Sequence, residues 1–320
     1  MTSYIVKRLL LLIPVLFGVS LVVFGVMSLV PGDPALAILG PYATPERLAE
    51  LRAELGLDRS WPVRYGIWLS GLLEGDLGRS VSLERPVLAA VLERLGPTLL
   101  LAGTALLLGT LLGLGAGMVA ALHHNQPTDR IVTLGVLIGI SIPSFWLGLL
   151  LILVFAVWLG WLPASGMTTV WIDAGGAAGV LDVIRHLLLP AASLALVAGG
   201  VIGRLTRGAA IDVLAAEPIR MARARGIPEH RVLLVHGLKS VLARMTPVIG
   251  LQAGFLIGGA VYIETIFQWP GLGRLLVDAI AARDLLLVQG GVLVMAATYV
   301  LLNLVADLVQ HALDRRTRAA

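Results

Sequence analysis

The chain has 320 residues, of which 58% are hydrophobic and 14% are charged, and its mean hydropathy is +0.91. This balance excludes an ordinary soluble globular domain and indicates that lipid is the solvent for much of the chain. Cysteine is absent from the sequence, which excludes disulfides and thiolate metal sites.

Six apolar windows are long enough to cross a bilayer as helices, because one crossing takes about 20 mostly apolar residues. The windows are 9–30, 96–122, 131 to about 160, 187–203, 245–263 and 285–306. Continuous runs of this kind lack the short alternating segments of a membrane β-barrel. They predict an all-α integral membrane protein with six transmembrane helices, in which backbone polar groups are satisfied within each helix.

The first window follows Lys7 and Arg8, an arrangement that superficially suits a signal peptide. The apolar run is too long for one, and no small-residue cleavage site follows it. We therefore expect residues 1–30 to form a retained N-terminal transmembrane helix.

Residues 31–94 are predicted to form an extracytoplasmic region with short helices. One helix is expected to begin at Pro45 and end at Gly56, and a second to begin at Pro62. One face of the second helix carries Tyr65, Trp68 and Leu72. This face could cover the membrane surface or dock an external protein, and the sequence favours neither.

The third window contains no charge and could hide two short spans. Splitting it would place the arginine-rich segment 204–244 outside, against the preference of basic residues for the cytoplasmic side. We therefore predict one span that is bent at Pro143, between Ser141 and Ser144. A proline frees a backbone carbonyl, so these residues mark either a packing kink or a gate.

Basic residues are concentrated on one side of this predicted topology. With a cytoplasmic N-terminus, the inside holds fourteen Lys and Arg side chains and six carboxylates, a net charge of +8. The outside holds ten Lys and Arg side chains and fourteen carboxylates, a net charge of −4. This asymmetry predicts that both termini are cytoplasmic. It also explains the pI of ≈ 9.8 without nucleic-acid binding.

Small residues recur at intervals of four in two of the predicted spans. They are Gly109, Gly113 and Gly117 in the second span and Gly254 and Gly258 in the fifth. Such faces allow helix backbones to approach closely. They predict tight packing within the bundle or against a homologous partner.

The loop between the fourth and fifth windows carries the most specific signal, in residues 217–228. Pro218 suits the first turn of a helix, Gly226 suits a left-handed C-terminal cap, and Pro228 prevents continuation. The basic residues near the helix end are Arg220, Arg223 and Arg225. The pattern predicts a two-turn helix that either rests on anionic lipid or fits a groove of a partner as a rigid projection.

This segment resembles the EAA motif of ATP-binding-cassette (ABC) importer permeases. Ala222 and Gly226 fall on motif positions, whereas Arg220 and Met221 replace Glu and Ala. That departure is usual in the dipeptide, oligopeptide, glutathione and nickel branch, which also has His-Ala-Leu where His236 opens His-Gly-Leu here. Further stretches resembling this branch lie at 31–34, 55–58, 75–78, 144–146, 264–273, 283–284 and 288–291. The resemblance covers essentially the whole chain, with departures at Leu285-Leu286 and Asp314-Arg315.

The resemblance implies a type I ABC importer transmembrane fold in a bacterial inner membrane. Its expected domains are the helix 1–30, the region 31–94, a core 95–311 with a coupling loop 208–240, and a cytoplasmic tail 312–320. The implied role is half of the translocation pathway for short peptides, glutathione or a nickel chelate. The residues expected to couple to an ATPase are Glu217, Arg220, Ala222, Arg223, Ala224, Arg225, Gly226 and His236.

The implied partners are a second homologous permease, two ATPase subunits or domains, an extracytoplasmic solute-binding protein and membrane lipid. A phosphate-binding P-loop needs Gly-Lys-Ser/Thr, yet Lys7 follows Val6 and Lys239 follows Leu238. We therefore expect ATP hydrolysis on separate subunits, with no catalytic residue and no cofactor on this chain.

Other polar residues carry weaker functional signals. Glu264 and Asp307 lie within a turn of predicted span ends, which favours an interfacial location. His123 and His124 point about 100° apart on a helix, and no carboxylate is spaced to join them, so no metal site is predicted.

Two other classes of function make different predictions for the sequence. An ion-coupled secondary transporter predicts interrupted spans in both halves and buried ionisable residues, and only Pro143 fits that pattern. A membrane receptor or scaffold is expected to carry a sizeable soluble domain, and the sequence contains no segment that would form one.

Overall fold

The computed structural model describes residues 2–29, 34–40, 43–54, 56–169 and 176–313. Within these ranges the regular structure is helical, with one isolated bridge between Arg79 and Pro86. The α-helices there are α1 (Thr2–Leu29), α2 (Pro34–Leu39), α3 (Pro45–Glu54), α4 (Trp61–Leu73), α5 (Val87–Leu122), α6 (Pro127–Ser141), α7 (Ser144–Leu151), α8 (Gly176–Ala215), α9 (Glu217–Ala224), α10 (Glu229–Arg231), α11 (Lys239–Ile266), α12 (Leu272–Ala281) and α13 (Leu285–Leu313). Two π-helical stretches, Ile152–Trp158 and Val232–Leu238, continue α7 and α10.

The chain divides into two compact units. One contains Met1–Gly96 and Gly271–Thr298, and the other contains Pro97–Pro270 and Tyr299–Ala320. Residues 271–298 therefore pack with the N-terminal part of the chain, whereas the predicted domain division places them in the core 95–311. Of the predicted segments, 31–33 and most of the tail 312–320 lie outside the described residues.

In the first unit, α4 packs its aromatic face against α1. Tyr65 is buried, and its hydroxyl lies 2.8 Å from the Ser20 hydroxyl oxygen. The Phe24 ring centroid lies 5.4 to 5.5 Å from those of Trp61, Tyr65 and Trp68. The predicted face thus packs on the chain's own first helix, which neither sequence-based alternative included.

A buried carboxylate fixes the start of α13 in the same unit. Asp284 accepts hydrogen bonds from the Ser80 hydroxyl at 2.6 Å and from the Ser82 hydroxyl and N–H at 2.8 and 2.9 Å. Its second oxygen accepts the Leu287 N–H at 3.1 Å, as an N-cap does. Burial raises the pKa of Asp284, but these donated hydrogen bonds outweigh it and hold that pKa below its ordinary value.

In the second unit, three glycines bring α5 into backbone contact with α8. A Cβ atom added at Gly109 would lie 2.9 Å from the carbonyl oxygen of Ala195. Cβ atoms added at Gly113 and Gly117 would each lie 2.6 Å from a carbonyl oxygen of α8, that of Gly199 and that of Gly203 respectively. Cβ atoms essentially never approach a carbonyl so closely, so only glycine fits. The predicted small-residue face of the second span is confirmed.

The same contacts show the directions in which α5, α6 and α8 run, and these directions bear on the number of membrane crossings. Contact positions rise together along α5 and α8, so these helices run parallel. Gly139 packs on Leu196 whereas Val136 packs on Gly200, so α6 runs antiparallel to α8. Two parallel spans require one return crossing between them. The pair α6 and α7 supplies it, which together with five long apolar helices makes six spans.

The return crossing is broken at Pro143. Helix α6 ends at Ser141, Ile142 and Pro143 are extended, and α7 begins at Ser144 at an angle of 102° to α6. Proline has no N–H, and its ring clashes with the carbonyl four residues earlier, so a proline kinks or breaks a helix. The pair α6 and α7 is apolar enough to be one span, as predicted, but the predicted bend is a complete break.

Helix α8 is longer than its predicted span 187–203. Its 40 residues extend about 60 Å, roughly twice the thickness of the hydrocarbon core. In α11, Gly254 packs against the Tyr299 ring, as a small-residue face predicts. A Cβ atom at Gly258 would have no neighbour within 4 Å in the described chain, so the contact of Gly258 with a partner stays a prediction.

Glu264 lies near the end of a span, as predicted, and it is enclosed by the protein. It lies in the last turn of α11, but its side chain is fully buried, and its carboxylate accepts the Thr98 hydroxyl at 2.6 Å. The Trp269 indole N–H also donates to the Pro97 carbonyl at 3.0 Å, so both contacts tie the end of α11 to α5. Asp307, near the end of the candidate span Leu285–Gln310, is partly buried.

The α5–α8 contact predicts a sharp difference between two glycines of one helix. Replacing Gly113 by valine forces a side chain into the α8 backbone and should cost about 1 to 3 kcal/mol of overpacking or more. Gly115 faces open space, so Gly115→Val is the matched control. Thermal unfolding of the two detergent-purified variants should show a lower midpoint for Gly113→Val only. Equal midpoints would contradict the backbone contact.

Candidate functional site

Helix α9 is held by its apolar face against the C-terminal end of α8 and the N-terminal part of α11. Ile219 and Ala222 are buried in a cluster with Val213 of α8 and Val241 of α11. The helix begins at Glu217, one residue before the predicted Pro218, after an extended Ala216. Its two turns are therefore fixed on one side by apolar packing, while the opposite side faces outward.

The C-terminal end of α9 is closed by the predicted left-handed residue. Gly226 has φ +75°. Its N–H donates to the Arg223 carbonyl at 2.9 Å, and the Ile227 N–H donates to the Ala222 carbonyl at 3.3 Å. This pair of bonds is a Schellman motif. Ile227 also packs against the apolar cluster under α9, so the chain leaves the helix in one defined direction.

An ion pair joins α9 to α10. The Arg223 guanidinium donates to both carboxylate oxygens of Glu229, at 2.7 and 3.1 Å. Both side chains are about half exposed, so the pair orients the two helices and adds little to stability. Glu229 was not among the predicted site residues, because the i+6 spacing is meaningful only once the turn at Gly226 is known.

The remaining predicted residues form an outward-facing surface. Exposed residues are Glu217, Arg220, Arg223, Ala224, Arg225, Gly226 and His236, whereas Ala222 faces inward. In the described chain, Arg220 and Arg225 have no acidic partner. His236 lies on the π-helical stretch beside Leu234 and Val235, which are 63% and 50% exposed, and Met221 is 51% exposed. We call these residues together the α9 surface. It is cationic and apolar, and its rigid base suits binding to another protein.

A cluster that the sequence did not predict lies at the start of α6. Asp129 is buried and accepts hydrogen bonds from the Arg207 Nε and Nη2 atoms at 2.6 and 2.7 Å. The Asn125 N–H donates to it at 3.0 Å, and the His124 ring nitrogen lies 3.4 Å from it. The expectation that no carboxylate joins the histidine pair is therefore wrong for His124. Arg207 is 78 positions away, a distance that no local pattern can bridge.

Ser141, Pro143 and Ser144 are separated from the α9 surface. They lie at the far end of α6, about 20 Å from its start beside Asp129. The structure therefore brings together the predicted coupling residues, but it does not join the three residues at the break to them.

Two models of one protein family match the chain. Residues 113–319 match "binding-protein-dependent transport system inner membrane component", and residues 1–102 match its N-terminal counterpart.

Curated relatives match over the full length. The dipeptide transport system permease protein DppB of Alkalihalophilus pseudofirmus is 38% identical, over 99% of this chain and 100% of the relative. The glutathione transport system permease protein GsiC of Escherichia coli is 39% identical, over 99% of each chain. Among solved structures, an inward-facing conformation of the MetNI methionine ABC transporter is similar in fold. Its TM-score is 0.58 at 17% identity, over 71% of this chain and 97% of that chain.

The Asp129 cluster predicts that two arginines one turn apart on α8 differ in importance. Arg207→Gln leaves a buried carboxylate without its bidentate partner and should lower the unfolding temperature. Arg204→Gln is the matched control, because Arg204 is exposed and has no ion pair in the described chain. The double variant Arg207→Gln/Asp129→Asn should recover part of the loss. An equal loss in both single variants would contradict the role of the pair.

Proposed function

Because the chain belongs to the family of inner membrane components of binding-protein-dependent transport systems, we propose that it forms half of a translocation pathway for short peptides. It is a multi-pass inner-membrane permease subunit of an ABC importer. The relatives named above transport dipeptides and glutathione, which is itself a tripeptide, and these names support a short peptide as the cargo.

The α9 surface is the proposed docking site for an ATPase subunit. One observation carries this assignment: a two-turn helix with a Schellman cap and an apolar base presents apolar side chains outward, together with Arg220 and Arg225, which have no acidic partner in the described chain. A projection that moves as a rigid body can transmit a movement of its partner into α8 and α11. The proposed assembly also contains a second homologous permease and an external solute-binding protein.

The proposed orientation places the α9 surface and both termini in the cytoplasm. The distribution of Lys and Arg supports this orientation. Six crossings return the C-terminus to the side of the N-terminus. Helix α9 follows the fourth crossing and so lies on that side, where ATP is available.

Gly226→Val is the direct test of the docking role. Valine at φ +75° is strained by about 1 to 3 kcal/mol, and no neighbour lies within 4 Å of the new Cβ, so the effect is confined to the turn. We expect near-normal membrane levels but loss of solute uptake, together with loss of ATPase co-purification or of substrate-stimulated hydrolysis. Gly226→Asn is the matched control, because asparagine tolerates the left-handed region, and it should retain uptake.

The competing role for this loop is a cationic lipid anchor. That role predicts normal uptake in Gly226→Val and impaired uptake when Arg220, Arg223 and Arg225 are neutralised together. Normal uptake with normal ATPase co-purification in Gly226→Val would reject the docking role.

The proposed topology is tested by thiol labelling, since the chain has no cysteine. Ser60→Cys, before α4, should react with an impermeant maleimide added outside intact spheroplasts. Ala224→Cys, on the α9 surface, should react only after permeabilisation. The reverse pattern would overturn the orientation.

A further inference from the structure

The break between α6 and α7 leaves backbone groups without partners. The Ile142 N–H donates to the Ile138 carbonyl at 3.1 Å, and this is the last bond of α6. The next carbonyls, from 139 to 141, would pair with the amides of 143 to 145 in a continuous helix. Pro143 has no N–H, and the first amides of α7 have no side-chain cap. Within the described chain, no hydrogen bond satisfies these carbonyls or the amides of 144 to 146.

The break is also exposed. Ser141 and Pro143 are exposed, and Phe145 and Trp146 are each 47% exposed. The Ser141 hydroxyl donates back to the Leu137 carbonyl at 2.9 Å, so it does not reach across the break. Ser141 and Pro143 are therefore not covered by the described chain, whereas Ile142 and Ser144 are partly buried.

The position of the break along α6 places it at membrane depth. Helix α6 begins beside Asp129 and Arg130, whose charges belong at the membrane surface. Its 15 residues extend about 22 Å, which is less than the roughly 30 Å of a hydrocarbon core. Helix α7 then turns by 102°, and Gly148 packs beside Phe267 at the outer end of α11. The unpaired groups therefore lie inside the outer half of the membrane.

Lipid is not a tolerable neighbour for these groups, because hydrocarbon offers no hydrogen bonds. Irregular backbone at this depth occurs where it lines a water-filled cavity or is buried in protein. A dry protein surface would need a matched donor or acceptor for each unpaired group. Water satisfies them all without a matched surface, and the groups of a passing peptide backbone have the same chemistry.

We propose that the exposed break, residues 141–144, borders the water-filled translocation pathway at the interface with the second permease. This inference rests on the proposed function, because it assumes a pathway shared by two such subunits. It assigns Ser141 and Ser144 to the lining of the pathway. A break that served only as a packing kink would give these residues no such role.

The test uses single cysteines in the complete transporter, reconstituted in nanodiscs so that both faces are accessible. Ser141→Cys, Ile142→Cys and Ser144→Cys are treated with a charged methanethiosulfonate reagent, without nucleotide and with a non-hydrolysable ATP analogue. Leu107→Cys on α5 is the control for a lipid-facing position, since Leu107 is 59% exposed in the described chain. We expect modification at the break to be several-fold faster than at Leu107→Cys, and to change several-fold between the two nucleotide states.

Two results would overturn the inference. Modification as slow as at Leu107→Cys would show a dry or lipid-facing break, and modification unaffected by nucleotide would show exposure at the headgroups only. The ATPase activity of each preparation is measured in parallel. Normal ATPase activity with an unreactive break rejects this inference alone, whereas no ATPase association with any variant or with the wild type rejects the proposed function.

Discussion

The contact between α5 and α8 is the constraint on which the second unit depends. Gly109, Gly113 and Gly117 allow the two backbones to touch, and any side chain larger than hydrogen at Gly113 or Gly117 would collide with a carbonyl of α8. Because lipid gives no hydrophobic driving force between helices, close packing of this kind is a main source of helix association in membranes. The contact sets α5 parallel to α8, and the parallel arrangement in turn requires α6 and α7 to return the chain across the bilayer.

Helix α8 then links this packed centre to the proposed docking surface. It continues beyond the hydrocarbon core, and Val213, near its end, packs under α9. The Schellman cap at Gly226 and the ion pair of Arg223 with Glu229 hold the exit from α9 in one geometry. A force applied to the exposed arginines is therefore borne by apolar packing on α8 and α11 and is not lost in a flexible loop.

Features that depend on a few neighbouring residues could be predicted from the sequence. The left-handed Gly226, the two turns of α9 and the small-residue face of α5 all follow from local chemistry and spacing. Features that depend on distant segments could not. Arg207 meets Asp129 only because α6 and α8 are antiparallel, and Glu264 is buried only because α5 lies against the end of α11. The apolar window 187–203 also ends before α8 does, because arginines interrupt an apolar window without interrupting a helix.

The central claim is that ATP hydrolysis on separate subunits drives transport. Two structural features make a measurement of the energy source informative. A broken span and a buried carboxylate, here Glu264, also occur in ion-coupled transporters. The most direct test is peptide uptake into proteoliposomes that contain the complete assembly with its binding protein. The account predicts uptake that requires ATP and persists when ionophores abolish every ion gradient. Uptake driven by an ion gradient without ATP, by this chain without ATPase subunits, would contradict it.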